Sequence, residues 1–144
     1  MFNFFIQKHK KHAIIYAKGG LKMKLLTDSN EDYLEAILIL KIKKGKVRSV
    51  DISKMLNVSK PGVTKAMNVL KENGLIEKDY YGDVYLTPKG EEIAKKIYKK
   101  HTTIKEFLLK LGVSEETSDI DCCKIEHVIS EETFKAIKNF LNLK

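Results

Sequence analysis

VRSVDISKMLNVSKPGVTKAMNVLKENGLIEKD, Val47 to Asp79, decides the fold. Val50, Ile52, Met55 and Leu56 predict a short amphipathic helix. Asn57-Val58-Ser59 then makes a tight turn whose last residue can cap a second helix. Pro61 is tolerated in the first turn of that helix, where its missing N–H would have no partner in any case. The second helix turns Val63, Met67 and Leu70 inward, exposes Thr64, Lys65 and Asn68, and ends near Gly74. Two short helices across a three-residue turn, the second opening Ser-Lys-Pro-Gly, have the layout of a helix-turn-helix.

Downstream, Leu75-Ile76-Glu77-Lys78 and Val84-Tyr85-Leu86-Thr87 read as two strands around Asp79-Tyr80-Tyr81-Gly82-Asp83. A hairpin straight after a recognition helix is the wing of a winged helix, whose tip rests on phosphates or in the minor groove. Upstream, Asp28 or Ser29 caps a helix in which Tyr33, Leu34, Ile37, Leu38, Leu40 and Ile42 recur at helical spacing before Gly45. Charge is unevenly placed along the chain. From Lys41 to Lys71 nine Lys/Arg face one acid, Asp51, whereas from Glu91 onward ten basic residues meet ten acidic ones. A solvated lysine-rich face would satisfy the count alone, but with a helix-turn-helix in the same stretch the count points to nucleic acid.

The C-terminal part is all helical. Thr87-Pro88-Lys89-Gly90 opens a long helix through roughly Leu111, with Ile93, Ile97, Ile104, Phe107, Leu108 and Leu111 on its apolar stripe. Gly112 closes it, Ser114-Glu115-Glu116 opens the next, and Ser130 caps a last helix to about Leu141, whose Phe134, Ile137, Phe140 and Leu141 need a partner surface. Such a unit is too small to bury its own faces, and dimerisation supplies the missing burial. The expected fold is therefore mainly α. A winged helix-turn-helix with a small β-hairpin wing occupies residues 24–88, and a helical metal-binding and dimerisation domain occupies 89–144. Residues 1–23 hold five lysines and no acid and read as a basic extension, either a disordered arm or an over-extended start ahead of Met23.

The 144 residues carry a net charge of +8 and no membrane-length apolar run. The two cysteines, Cys122 and Cys123, are neighbours, a geometry that seldom closes a disulfide, so a reducing cytoplasm fits. In DCCKIEHVIS, Asp121 to Ser130, helical spacing puts Cys123, Glu126 and His127 on one face. A thiolate, a carboxylate and an imidazole together suit Fe(II), Mn(II), Co(II), Ni(II) or Zn(II) better than Mg or Ca. His101 projects from the long helix, and Asp32 and Glu35 share a face of the first. Each has a plain structural explanation taken singly, and spacing alone does not show that the three groups meet.

SNEDYLEAIL, VSKPGVTKAMNVLKENGLI, LTPKGEEIAKKI, His101 followed by EFLLKLGV, and KIEHVIS occur in an order and spacing that resemble the diphtheria-toxin-repressor family of metal-dependent repressors. The likeness runs from about Leu26 to Leu141 and is to the short form without an SH3-like third domain. It implies a metal site of Asp32, Glu35, His101, Cys123, Glu126 and His127. It implies DNA contacts from Ser59, Pro61 and Lys65 near base edges, from Lys60 and Thr64 to phosphates, and from Tyr80 and Tyr81 near the backbone. Asp32 and Glu35 match the manganese-regulator pattern, and Cys123 matches the iron-regulator branch. Lys105 stands where the family often has a glutamate serving a second ion, for which Asp119 or Asp121 could substitute, while Cys122 lies on another helical face and packs.

The expected function is a cytoplasmic, homodimeric, metal-dependent repressor of metal-uptake genes that binds a double-stranded operator and answers Fe(II) ahead of Mn(II). No membrane and no organic substrate is expected. The alternative is a winged-helix regulator answering an organic ligand or thiol oxidation at Cys122 and Cys123. A structural zinc site and an enzyme are the other classes. The enzyme ranks last, because no HExxH, phosphate loop or nucleophile triad is present.

Overall fold

The computed structural model describes residues 26–143, so the reading of residues 1–23 lies outside the described part. Helices α1 (Asp28–Lys44), α2 (Ser49–Leu56) and α3 (Lys60–Glu72) lead to strands β1 (Ile76–Lys78) and β2 (Val84–Leu86). Helices α4 (Pro88–Lys110), α5 (Glu115–Ile125) and α6 (Glu131–Phe140) follow.

Helix α1 is the hub of the N-terminal half. Tyr33, Leu34, Ala36, Ile37, Leu38 and Leu40 are all buried, because α2, α3, α4 and β2 pack around it. Its cap is Thr27, not Asp28 or Ser29: Thr27 Oγ1 accepts from Asn30 N–H at 3.3 Å. The stripe also stops short of expectation, since Ile42 lies past the packed neighbours and is exposed.

The helix-turn-helix forms as its punctuation requires. Asn57 takes the left-handed conformation, φ 51°, which ends α2, and Ser53 Oγ donates to Val58 O across the turn at 2.7 Å. Ser59 Oγ accepts from Gly62 N–H at 3.2 Å and starts α3. Val63, Ala66, Met67 and Leu70 are buried on one side of α3. In α2 only Ile52 is fully buried, and Val50 and Met55, expected inward, face solvent.

The two strands pair antiparallel, Ile76 opposite Leu86 and Lys78 opposite Val84. Each is one residue shorter than expected. Leu75 closes α3, its N–H donating to Leu70 O, and accepts Thr87 N–H at 3.0 Å, while Thr87 caps α4. Gly90 sits so close under this joint that a Cβ there would lie 1.9 Å from Leu75 O, so no larger residue fits. The wing is tied to the chain before α2 by Val84 N–H to Val47 O at 2.8 Å and by Arg48 Nε to Asp83 Oδ1 at 3.0 Å.

Helix α4 packs on α1 and also on α5 and α6, so one rod serves both halves. Its Ile93 and Ile104 are buried, but Leu111, expected on the inward stripe, is the C-cap residue and is exposed. Leu109, Ile120, Val128 and Phe140 are exposed as well, leaving the C-terminal helices with apolar surface. Among the described residues no helix is long and apolar enough to cross a membrane.

Candidate metal centre

Three elements bring the expected residues together. Asp32 and Glu35 stand one turn apart on α1, His101 lies midway along α4, and Cys123 is in the last turn of α5. Helix α5 ends at Ile125, so Glu126 and His127 are not on a continuing helical face. Glu126 is the C-cap residue, still helical at φ −57°, ψ −30°, and His127 lies in the turn beyond. Ending the helix there turns the imidazole towards α1.

His101 Nδ1 lies 3.0 Å from Glu126 Oε2, 3.4 Å from Glu35 Oε1 and 3.8 Å from Cys123 Sγ. His127 Nε2 lies 2.9 Å from Asp32 Oδ1 and 3.5 Å from Glu126 Oε1. Five of the six donors therefore form two overlapping sets, Glu35-His101-Glu126 and Asp32-Glu126-His127, with Glu126 in both, while Cys123 groups with His101 and Cys122. Cys123 is the most exposed of the six, and its thiol donates to Asp119 O at 3.2 Å.

The chemistry of this cluster suits a cation. Glu35 Oε1 and both oxygens of Glu126 are buried and make no hydrogen bond within the protein, although imidazole nitrogens stand close by. The approach is short but the directions are wrong for N–H···O bonds, as when several donors face a common point. Buried carboxylate oxygens without partners cost several kcal/mol unless something positive meets them. Burial, and then Glu126, pushes the Glu35 carboxyl up to about 7. The Glu126 carboxylate raises His101, and Asp32 together with Glu31 lifts His127 to about 10. Burial and Glu126 also raise the Cys123 thiol. Protons thus balance the cluster's negative charge, and nitrogen, oxygen and sulfur donors stand ready for a divalent transition metal that displaces them.

One participant escaped the sequence reading. Glu31 Oε2 is 3.0 Å from His127 Nδ1, so the imidazole is held from both sides, with Asp32 at Nε2. The signal was present: Asp28, Glu31, Asp32 and Glu35 follow the spacing of a single helical face, and Asp28 and Glu31 do gather at His127. Lys105 Nζ lies 2.6 Å from Asp119 Oδ1 and 3.6 Å from Glu115, so Asp119 is engaged by a tethered ammonium. Asp121 lies 3.7 Å from Lys124. Cys122 is fully buried, as its face predicts, yet its sulfur rests 3.3 Å from His101 Nε2.

The residues expected at DNA sit apart from this cluster. Lys60, Pro61, Thr64 and Lys65 are exposed on the outer face of α3, behind the Ser59 cap. Tyr80 and Tyr81, 98% and 83% exposed, stand edge to face at 5.7 Å on the wing.

Residues 25–84 match the family of iron dependent repressor N-terminal DNA binding domains, and residues 87–143 match the iron dependent repressor metal binding and dimerisation domain. An uncharacterised HTH-type transcriptional regulator of Methanocaldococcus jannaschii is 38% identical over 118 residues, 81% of this chain and 94% of that protein. The transcriptional regulator MntR of Salmonella typhimurium is 39% identical over 110 residues, 76% of this chain and 70% of its own. The crystal structure of IdeR from T. acidophilum superposes with a TM-score of 0.71 at 33% identity, covering 83% of this chain, which spans only 56% of that one. The chain belongs to the diphtheria-toxin-repressor family of metal-dependent, DNA-binding transcriptional regulators.

Proposed function

We propose that the chain is a cytoplasmic homodimeric repressor of metal-uptake genes. Residues 24–88 read operator DNA and residues 89–144 dimerise and complete a site for Fe(II), ahead of Mn(II). The observation that carries this reading is the set of buried carboxylate oxygens of Glu35 and Glu126, drawn from α1 and from the end of α5, that stand beside imidazoles but make no hydrogen bond.

Asp32, Glu35, His101, Cys123, Glu126 and His127 are the proposed ligands. A bound divalent ion supplies positive charge and fixed coordination directions. Asp32 and Glu35 then tie α1 to α4 and to the turn after α5 through the ion as well as through their contacts with His127 and His101. Since α3 packs on α1, holding α1 fixes the recognition helix relative to the C-terminal helices. In a dimer joined through those helices the two copies of α3 are set about one DNA turn apart, ~34 Å. The exposed Leu109, Ile120, Val128 and Phe140 supply an apolar surface for that joint. Ser59, Pro61 and Lys65 approach base edges, Lys60 and Thr64 approach phosphates, and Tyr80 and Tyr81 lie along the backbone. The preference for Fe(II) rests on the Cys123 sulfur, a softer donor than the remaining oxygens and nitrogens.

The test is anaerobic binding of promoter DNA from metal-uptake genes with Fe(II), Mn(II) or chelator. Either metal should tighten binding by about 5–150-fold, the range of an ordinary coupling of roughly 1–3 kcal/mol. Equal affinity with metal and with chelator would sink the reading. Substituting Glu for Cys123 should move the preference towards Mn(II).

A further inference from the structure

Cys122 is adjacent to a proposed ligand but plays no part in the centre described above. Consecutive residues on a helix point about 100° apart. Here both thiols nonetheless turn to one carbonyl, Asp119 O, at 3.4 Å from Cys122 Sγ and 3.2 Å from Cys123 Sγ. That shared acceptor brings both sulfurs against the imidazole of His101, whose Nδ1 lies 3.9 Å from Cys122 Sγ and 3.8 Å from Cys123 Sγ. With metal–nitrogen and metal–sulfur bonds of about 2.0 and 2.3 Å, the N···S edge of a tetrahedron is roughly 3.5 Å. Both N···S distances are therefore within a few tenths of an ångström of that edge, and the three donor atoms lie within 4.8 Å of one another. No carboxylate of the described residues joins these three donors within 4.8 Å, so the fourth position falls to water.

We propose that Cys122, Cys123 and His101 form a thiophilic subsite, with water at its fourth position, that takes a borderline or soft divalent ion such as Zn(II) or Cd(II). Two sulfurs and one nitrogen are the donor set of a tetrahedral zinc site, and Mn(II) favours oxygen. On binding, each S–H bond breaks as its S–metal bond forms. Two protons pass to solvent and no electron is transferred. His101 and Cys123 belong to both donor sets, so an ion held by the two sulfurs withdraws both from Glu35 and Asp32 and competes with Fe(II) or Mn(II). The inference rests on reading His101 and Cys123 as metal ligands, and it goes beyond that reading in assigning Cys122.

The experiment is an anaerobic titration of the reduced full chain with Co(II), a chromophoric stand-in for Zn(II), reading thiolate-to-metal charge-transfer absorption. Wild type should show the intensity of two thiolates. Cys122→Ser and Cys122→Ala should each keep about half of it, since one sulfur ligand of two remains. Zn(II) affinity, measured by competition with a chromophoric chelator, should fall at least about tenfold in both variants. Cys122→Ala keeps an apolar side chain in this fully buried position, and a retained far-UV helical spectrum separates ligand loss from unfolding. Wild-type absorption and Zn(II) affinity in a folded Cys122→Ala chain would overturn the subsite, as would the absence of any thiolate band in wild type. Metal-dependent DNA binding by the same variant is scored separately, so loss of the subsite and loss of the regulator reading give different results.

Discussion

The outer face of α3 and the cluster between α1, α4 and α5 are both polar, but they are built on opposite terms. On α3 the polar groups settle their hydrogen bonds locally: Ser59 caps the helix, and Thr64 Oγ1 donates to Lys60 O at 3.1 Å. That surface is complete as it stands. In the cluster the contacts run between residues far apart in sequence, and Glu35 and Glu126 are buried and keep oxygens without hydrogen bonds. A surface proposed to meet a polyanion needs only a rigid mount, while a site proposed for an ion keeps buried carboxylate oxygens that no hydrogen bond within the protein satisfies.

The contrast is broken most severely at Glu126, which belongs to both proposed donor sets. Glu126→Ala should lower metal affinity by more than about 100-fold, beyond what loss of a supporting group costs. The metal-free protein should nevertheless keep its Tm, because the carboxylate removed makes no hydrogen bond and the imidazoles beside it can release their protons. A fall in both metal affinity and metal-free Tm would mean that Glu126 holds the fold and not an ion.

Glu31 sharpens the comparison from inside the cluster. It touches only the outer nitrogen of His127 and so acts as a positioning residue. Glu31→Ala should weaken metal binding by about 10–100-fold, and Glu31→Gln, which still accepts from Nδ1–H, should recover much of that. Equal losses in the two variants would point to charge and not to orientation of the ring.

On the α3 side the effects should be milder and independent of metal. Lys65→Ala should cost about 1–3 kcal/mol of DNA affinity if the ammonium reaches a base edge, with metal affinity untouched. An unchanged sequence preference, with the salt slope reduced by about one, would instead put Lys65 on a phosphate. Smallest of all, Ser59→Ala removes the α3 cap and should lower stability by about 1 kcal/mol in chemical denaturation, the same with metal or chelator.

These differences also explain what the sequence made legible. The winged helix could be read because its determinants are local: Asn57 and Ser59 at the turn, Pro61 in the first turn, Thr87 and Gly90 at the start of α4. Where the reading slipped, an apolar stripe outran its neighbours, as at Ile42, Val50, Met55 and Leu111, which are exposed. Periodicity reports what a helix can bury, and the neighbours decide how much of it they cover. The cluster was legible only through motif resemblance, because no local rule says that Asp32 meets a histidine 95 residues away. Glu31 was passed over although it stands on the same helical face, since its partner comes from beyond the end of α5. Cys122 was correctly read as packed, yet the side chain it packs against, His101, could not be read from spacing within its own helix.

The joint at Gly90 has a mechanical meaning. Helix α4 is pinned at its start, where Gly90 meets the Leu75 carbonyl without room for a methyl group, and it carries His101 eleven residues further on. At 1.5 Å per residue the arm between them is about 17 Å. A displacement of His101 by ~1 Å therefore corresponds to a tilt of only about 3.5° at the hairpin end, by the same helical rise. The wing meets the start of a stiff lever and the cluster its middle, with a glycine at the pivot, so slack there would disconnect them even with every proposed ligand intact.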